Sequence, residues 1–547
     1  MLKKKAKRRT SLGEKAITLI ALVVTIVILL ILAAVTITMT LGENGLFQRS
    51  KAAKDATIKA MADEEVELAV SNLKMETTIR KLTQEGSRKF LEDDLKKSDK
   101  DTTVTINGND LKVKHRGNNY NVDQDCNLTD EGDFDAAEWD KTAVPENMFY
   151  WKSDDPNEAG YNTIIGYKAG INNYTILRYP TRCYYIDEDL EEVYSRINSE
   201  NNNSQSISKS EIRSFTNNIK KEEQPDTIIT VSGTGFRNEA VEEVRLSNNL
   251  ISISDRFFHG YSNLRKLYLP KSVINIGDNV FEEYGHIMIL AYGKAGCISG
   301  APWGMSSGIV IWNYNDAKKD KMTEQEKIEW DKTAVPENEF YWESDDPNNE
   351  GYNTVIGYKA SITNYTILKY PSRCKIIDED QFEKIAMNIP SNQDSPRSYT
   401  KNIKKIEYSN NVIAINGNYF YYSNIESTTL SNNLRSLGSY SLKTTPEEEL
   451  ILPDTLEYIG NSAFGCCQEL KKITMKNKVT NIGKHILGRG YNGIKEITIL
   501  GTHVEMNNNA FIDQNNITIN LTASKDSISG APWGAYNATV NWNYTGE

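Results

Sequence analysis

Residue types that do chemistry are few in this chain and poorly grouped. The five histidines, His115, His259, His286, His485 and His503, lie far apart, and no local motif sets one beside a cysteine or a carboxylate. They read as surface or turn histidines. The six cysteines, Cys126, Cys183, Cys297, Cys374, Cys466 and Cys467, show neither zinc-ligand spacing nor a dense disulfide framework. Cys183 and Cys374 stand in matching phrases, "YPTRC" and "YPSRC", and duplication alone accounts for the match. HExxH and P-loop signatures are absent. "SDDPNEAG" from Ser153 and "SDDPNNEG" from Ser344 cluster oxygen atoms without EF-hand spacing, and read as polar turns. The expectation is a protein with no catalytic residue, metal site or cofactor.

Charge narrows the partners. The chain carries a net −11, yet within the first fifteen residues Lys3, Lys4, Lys5, Lys7, Arg8, Arg9 and Lys15 outweigh Glu14 by six charges. The remainder is therefore at −17. A body that acidic repels phosphate backbones, which excludes nucleic acid. At 547 residues the chain is too long for one core and corresponds to about three or four domains.

From Ile17 to Leu41 the sequence "ITLIALVVTIVILLILAAVTITMTL" has no charge, proline or glycine. As a helix it is about 37 Å long, enough to cross a hydrocarbon core of ~30 Å with some tilt. It also exceeds the ~7–15-residue apolar region of a secretory signal peptide. With the basic cluster before it and Glu43 after it, the positive-inside rule puts residues 1–16 in the cytoplasm and the body outside. Beyond Gly42-Glu43-Asn44-Gly45, the residues Phe47, Ala53, Ala56, Ala60, Val66, Val70 and Leu73 recur at helical spacing and predict an amphipathic helix to about Leu82. "TVTI-NGND-LKVKH" and "NYNVD" then predict a small antiparallel sheet with a turn at Asn107-Gly108.

The segment "KAITLIALVVTIVILLILAAVTITMTLGENGLFQRSKAAKDATI" resembles the N-terminal part of type IV pilin-like proteins, in the form common in Gram-positive bacteria, over about residues 14–82. The resemblance implies a helix followed by a small antiparallel sheet. It also implies cleavage by prepilin peptidase between Ala16 and Ile17, with Thr18-Leu19-Ile20 matching the segment after the cut. Ala16 stands where pilins usually have Gly. Ala21 stands where they usually have the Glu that pairs with a neighbouring subunit's terminal amine, and a methyl group cannot make that pair.

The body is written twice. "EWDKTAVPENMFYWKSDDPN" from Glu138 returns at Glu329, 191 residues on, as "EWDKTAVPENEFYWESDDPN". "SGAPWGMSSGIVIWNY" from Ser299 returns at Ser529, 230 residues on, as "SGAPWGAYNATVNWNY". All eight tryptophans obey one of these two offsets. Between the anchors runs a shorter period, with coils starting at Ile219, Val241 and Leu264, and again at Ile403, Ile425, Glu447, Leu470 and Ile494. Steps of 22–24 residues are the leucine-rich-repeat period, read here as one strand per coil. The second stack thus has two extra coils, which explains the unequal offsets.

A single coil cannot bury its own apolar edge, so neighbours stack with strands ~4.8 Å apart. Val244, Leu246, Leu267, Leu269, Leu430, Leu450, Leu452 and Ile497 are expected inside, with Phe236, Phe258, Phe281, Phe420, Phe464 and Phe511 plugging the opposite side. Trp303 and Trp533 in the GAPWG phrases are expected to close the end of each stack. Trp151 with "NTIIGYK…YTILRYP" is expected to form an opening hairpin. A carbohydrate-stacking role is the alternative for these tryptophans. Cys467 falls at a small-residue position and is expected as a buried thiol.

The repeat pattern, above all "LILPDTLEYIGNSAFGCCQEL", resembles the BspA-like leucine-rich-repeat surface proteins over roughly residues 219–314 and 403–544. That resemblance implies the fold and a role as an adhesin or binding protein. The full reading is an α+β, β-rich chain. A basic leader (1–16) and a transmembrane helix (17–41) precede an amphipathic helix with a small pilin-like antiparallel sheet (42–137). A first opening hairpin and solenoid (138–314), a charged linker that is a short helix or hinge (315–328), and a second, longer hairpin and solenoid (329–547) follow, both solenoids carrying parallel sheets. Ligand binding is expected on outward strand positions, Arg245, Arg265, Lys266 and Tyr268 in the first solenoid and Lys471, Lys472 and Thr474 in the second. Glu448-Glu449 beside Lys471-Lys472 could equally form charge ladders between strands. The leading functional expectation is a non-enzymatic, single-pass protein of a Gram-positive surface that binds an extracellular protein or glycan. The alternative is a minor pilin or pseudopilin of a type IV pilus or type II secretion-like assembly.

Overall fold

The computed structural model describes the chain from residue 65 onward, apart from 67–68, 71–72, 74–81, 108–109, 117, 123–127, 130–135, 201–206, 234–235, 237, 282–285, 380–395, 418–419, 421–422, 443–445, 466, 489–492, 526 and 547. The leader, the apolar span at 17–41, the Ala16–Ile17 bond and Phe47 to Ala60 lie outside the described residues. Among the described residues, no helix is long and apolar enough to cross a membrane. The chain divides into two compact units, Met1–Asp135 and Ala136–Glu547.

In the first unit, Val66, Val70 and Leu73 are helical and buried, as their spacing predicts, and Ala69 is helical and buried with them. They share a core with Val104, Leu111, Val113, Tyr120 and Val122. These last belong to a four-stranded antiparallel sheet in chain order: Thr103–Asn107, Asp110–His115, Asn118–Val122 and Leu128–Thr129. Asn107 pairs with Asp110 across the expected turn. A further helix, Gln84–Leu95, was not anticipated. Its charged sequence hides a narrow apolar stripe, and it buries Leu91 and Leu95 while Thr83 caps it by accepting from the Gly86 amide at 3.2 Å.

In the second unit each coil contributes two strands, which corrects the expectation of one. The first solenoid has a flank sheet of Phe149–Trp151, Thr163–Tyr167, Tyr185–Glu188, Thr230–Gly233, Ser252–Ile253 and Asn275–Ile276. Its front sheet is Ile176–Arg178, Lys221–Glu223, Glu243–Arg245, Lys266–Leu269, His286–Ala291 and Ser307–Ile311. The second solenoid has an eight-stranded flank sheet from Phe340–Trp342 to Glu505–Met506, and a front sheet in runs of three and five strands, ending at Thr539–Asn541. The flank strands are too short to show alternation: Ser436–Leu437 and Tyr458–Ile459 are two residues each.

The Ile-Gly of each repeat follows from this stacking. A Cβ on Gly460 would lie 2.9 Å from the carbonyl carbon of Gly438 in the preceding coil, and one on Gly277 would lie 2.0 Å from Asp255 Oδ1. The opening hairpin also differs from expectation. Phe149–Trp151 pairs antiparallel with Thr163–Tyr167, whereas Ile176–Arg178 crosses to the front sheet, parallel to Lys221–Glu223. The stack therefore begins one coil before Ile219, and the intervening chain forms helices Leu190–Glu200 and Lys209–Arg213.

Of the expected inward positions, Val244, Leu246, Leu267, Leu269, Leu450, Leu452 and Ile497 are buried, and Leu430 is half-buried. All six phenylalanine plugs are buried. Trp303 and Trp533 close the stacks, each indole donating to the carbonyl of Ser299 or Ser529 at 2.7 Å.

Candidate functional site

The two front sheets have different fates. In the first solenoid, Ile309 and Ile311 extend the outward rows that run through Lys266–Met288 and Tyr268–Leu290. All six side chains are buried. Tyr268, Met288, Leu290, Ile309 and Ile311 share one apolar core with Ile376, Ile413, Ala414 and Tyr458 of the second solenoid's flank. Polar contacts fix the junction: Ser436 Oγ donates to the Val310 carbonyl at 2.7 Å, the Gly308 amide to Ser439 Oγ at 3.2 Å, and Asn461 Nδ2 to the Ser306 carbonyl at 2.9 Å. A sheet face of one solenoid thus lies on the flank of the other.

This placement corrects the expectation for Lys266 and Tyr268. Lys266, 7 % exposed, donates to Glu343 Oε1 of the second opening hairpin at 2.6 Å. Tyr268 is buried, with the Arg245 guanidinium 3.7 Å above its ring, and Arg245 Nε also reaches Glu243 at 3.1 Å. Arg265 is half-buried. The charged linker is helical at Tyr314–Ala317 and Glu324–Asp331, and it is tied down. Asp316 pairs with Arg435 at 2.7 Å, Asp320 with Lys375 at 2.8 Å, and Asn411 Oδ1 accepts from the Lys321 and Met322 amides.

The signal for this junction was present in the sequence. Met288, Leu290, Ile309 and Ile311 stand 230 residues before Thr518, Asn520, Thr539 and Asn541. Strands such as "HIMILA", apolar at both parities, mark sheets buried on both faces.

The second front sheet carries polar rows instead. Lys471 meets Glu448 and Lys472 meets Glu449, both at 3.0 Å, with Glu496 3.9 Å from Lys472. Such exposed cross-strand pairs are screened by solvent and contribute little to stability. Thr474 is half-buried, in register between Ile451, which is 65 % exposed, and Thr498. The row ends in an amide ladder, in which Asn541 donates to Asn520 and Asn520 to Glu496, both at 2.9 Å. Lys472 and Thr474 therefore lie on one face, beside an apolar side chain and a set of fixed amides, and Lys471 immediately precedes their strand.

The hairpin tryptophans are stacked by the chain's own cations. Arg182 lies 3.9 Å from the Trp151 ring and 3.8 Å from that of Tyr161, and Arg373 repeats the clamp at 4.0 Å from Trp342 and 3.5 Å from Tyr352. Lys369 sits 4.0 Å from the Trp330 ring. Each of these rings is thus held by a cation of the same solenoid.

Two polar clusters were missed because their members are distant in sequence. In the first unit His115 is fully buried, not a surface residue, with Nδ1 2.7 Å from Thr102 Oγ1 and Nε2 2.7 Å from Glu65. Glu65 also accepts from Arg116 Nε at 2.7 Å, which holds its carboxyl at about 2, with His115 and Ser98 adding hydrogen bonds. In the first solenoid Tyr167 donates to Glu188 at 2.8 Å, and Glu222 accepts from Asn238 at 2.8 Å. Burial pushes Glu188 up to about 7 and Glu222 up to about 8, the latter helped by the neighbouring Glu188 charge. The second cluster is sealed from solvent, whereas in the first His115 and Thr102 are buried and Glu65 and Arg116 are partly exposed. Cys183 and Cys374 are separate, buried free thiols, and Cys467 is buried with its thiol on the Leu442 carbonyl at 2.8 Å. Among the described residues no group of side chains is arranged to hold a metal ion.

Parallel coils, a phenylalanine plug in each turn and tryptophan end caps define a pair of leucine-rich-repeat solenoids. Residues 183–293 and 393–518 match the BspA type leucine rich repeat region in six copies, so a stretch of each solenoid is similar to repeats of that type. No curated protein matches the chain. Among solved structures, the pneumococcal vaccine antigen PcpA aligns at 14% identity over 80% of this chain and 98% of its own, with a TM-score of 0.28. A leucine-rich repeat protein from Bacteroides ovatus aligns at 13% identity over 81% and 89%, with a TM-score of 0.22. A leucine rich cell surface protein from Faecalibacterium prausnitzii aligns at 13% over 78% and 96%, with a TM-score of 0.22.

Proposed function

We propose that this is a non-enzymatic surface protein of a Gram-positive bacterium, anchored by residues 17–41, whose second solenoid binds an extracellular protein or glycan. The first solenoid is the support, and the front sheet of the second is the binding face. The observation that carries this reading is the contrast between the two front sheets. One is apolar outward at Met288, Leu290, Ile309 and Ile311 and is covered, whereas the other is polar at the same positions and bears Lys471, Lys472, Thr474, Ile451 and Asn520. Rigid scaffold strands that present mixed polar and apolar side chains suit macromolecular recognition. Residues 14–82 support insertion by the pilin route, with cleavage at Ala16–Ile17.

The test is binding of the full chain to a glycan array and to a panel of immobilised extracellular-matrix proteins. Any ligand found should be lost on K471E/K472E and weakened by Ile451→Glu. Arg213→Glu, on a helix of the first solenoid, should leave it unchanged. Binding that survives the front-sheet variants would sink the reading.

A further inference from the structure

The flank of the second solenoid is a docking surface, and the first solenoid has the same surface without an occupant described. In the second solenoid the docked flank consists of two rows: Lys375, Ile413, Arg435 and Glu457, and beside them Ile376, Ala414, Ser436 and Tyr458. The equivalent rows of the first solenoid are Tyr184, Ile229, Ile251 and Ile274, and Tyr185, Thr230, Ser252 and Asn275. The backbone ladder is the same: Ile251 N donates to the Ile229 carbonyl at 2.8 Å, as Arg435 N does to that of Ile413.

The side chains differ in an informative way. Where the occupied flank has Arg435 and Glu457, engaged with the linker and each other, the open one has Ile251 and Ile274, 44 % and 73 % exposed. Tyr184 and Tyr185 are exposed beside them. None of the eight positions is charged. Exposed isoleucines on successive coils of a strongly acidic body are an exception to its general surface chemistry.

We infer that this flank of the first solenoid packs against the same flank of a second molecule, forming a twofold dimer. Three features select that occupant. The homologous flank of the second solenoid is already a packing surface of this chain, covered by the first solenoid's front sheet. An uncharged patch meets no like-charge repulsion when paired with itself, although the chain carries a net −11. A twofold axis passing between the Ile229 and Ile251 coils brings Tyr184 and Tyr185 of one molecule over Ile274 and Asn275 of the other, so aromatic faces cover the most exposed isoleucine, as isologous contacts require. The inference is independent of what the second front sheet binds.

The experiment is sedimentation velocity of the full chain in mild detergent over a wide concentration range. A reversible dimer is expected, weakened about tenfold or more by I251E/I274E. Y184K/I229K, at the positions that face 274 and 251 across the axis, should behave likewise, and mixing the two charged variants should restore dimers, a recovery that misfolded chains could not give. A chain that stays monomeric throughout overturns the inference. So does a dimer that survives both variants, as one held by the N-terminal helix would, or a mixture that remains monomeric.

Discussion

Lys266 and Glu343 belong to different solenoids, 77 positions apart, and meet at 2.6 Å in a nearly dry junction. The pair joins the front sheet of the first solenoid to the opening hairpin of the second. Removing one partner leaves a buried charge uncompensated, which typically costs about 3–5 kcal/mol, whereas replacing both with apolar groups is often near neutral. Glu343→Leu should therefore lower the melting temperature sharply, and K266M/E343L should recover most of the loss. A single variant as stable as wild type would place the pair in solvent.

Glu222 makes the first solenoid sensitive to alkali. It stands in register with Leu177 and Val244, an inward position where the second solenoid has Ile406. Burial, then the Glu188 charge, raises it to about 8 despite hydrogen bonds from Tyr261, Asn238 and Tyr179, and burial raises Glu188 to about 7 despite Tyr167. Both values are raised, so the folded state keeps protons that the unfolded chain releases near 4.5. Stability is then highest below that pH and falls as pH rises toward 8. Glu65 in the first unit has the opposite sign, since its lowered value gives stability above 4.5 that is lost toward 2. Thermal melts from pH 5 to 9 should show the second unit weakening, with Glu222→Gln flattening the slope; a level wild-type profile would contradict the assignment.

Gly460→Ala tests the tight coil stacking. Its Cβ would sit 2.9 Å from backbone that cannot swing aside, and overpacking of this kind costs about 1–3 kcal/mol. A melting temperature equal to wild type would show that the coils can separate there freely.

Processing tests the anchor. The native protein taken from its own membranes should begin at Ile17 by intact mass and N-terminal sequencing. A chain that retains Met1 and the basic cluster would mean a plain signal anchor.

The repeat period, the phenylalanine plugs and the tryptophan caps were legible because each recurs at a fixed spacing and each is set by a neighbour one coil away. Two-residue flank strands such as Ser436–Leu437 were not, because alternation needs more than one step to be seen. Lys472 and Thr474, two apart on one strand, share a face by strand parity, which local sequence decides. Lys266 and Tyr268 obey the same parity, yet their exposure depends on a partner sheet far along the chain. His115 was misread for the same reason: its partner Glu65 is 50 residues away.

The account turns on the first solenoid's front sheet being covered and the second's being open. The two terminal strands, Ser307–Ile311 and Thr539–Asn541, are the same element in the two solenoids, one docked and one not. Hydrogen–deuterium exchange of the full chain compares them directly. The peptide spanning Ser307–Ile311 should exchange at least about a hundredfold more slowly than the one spanning Thr539–Asn541. Equal rates would mean that the solenoids do not pack, and that both front sheets face solvent.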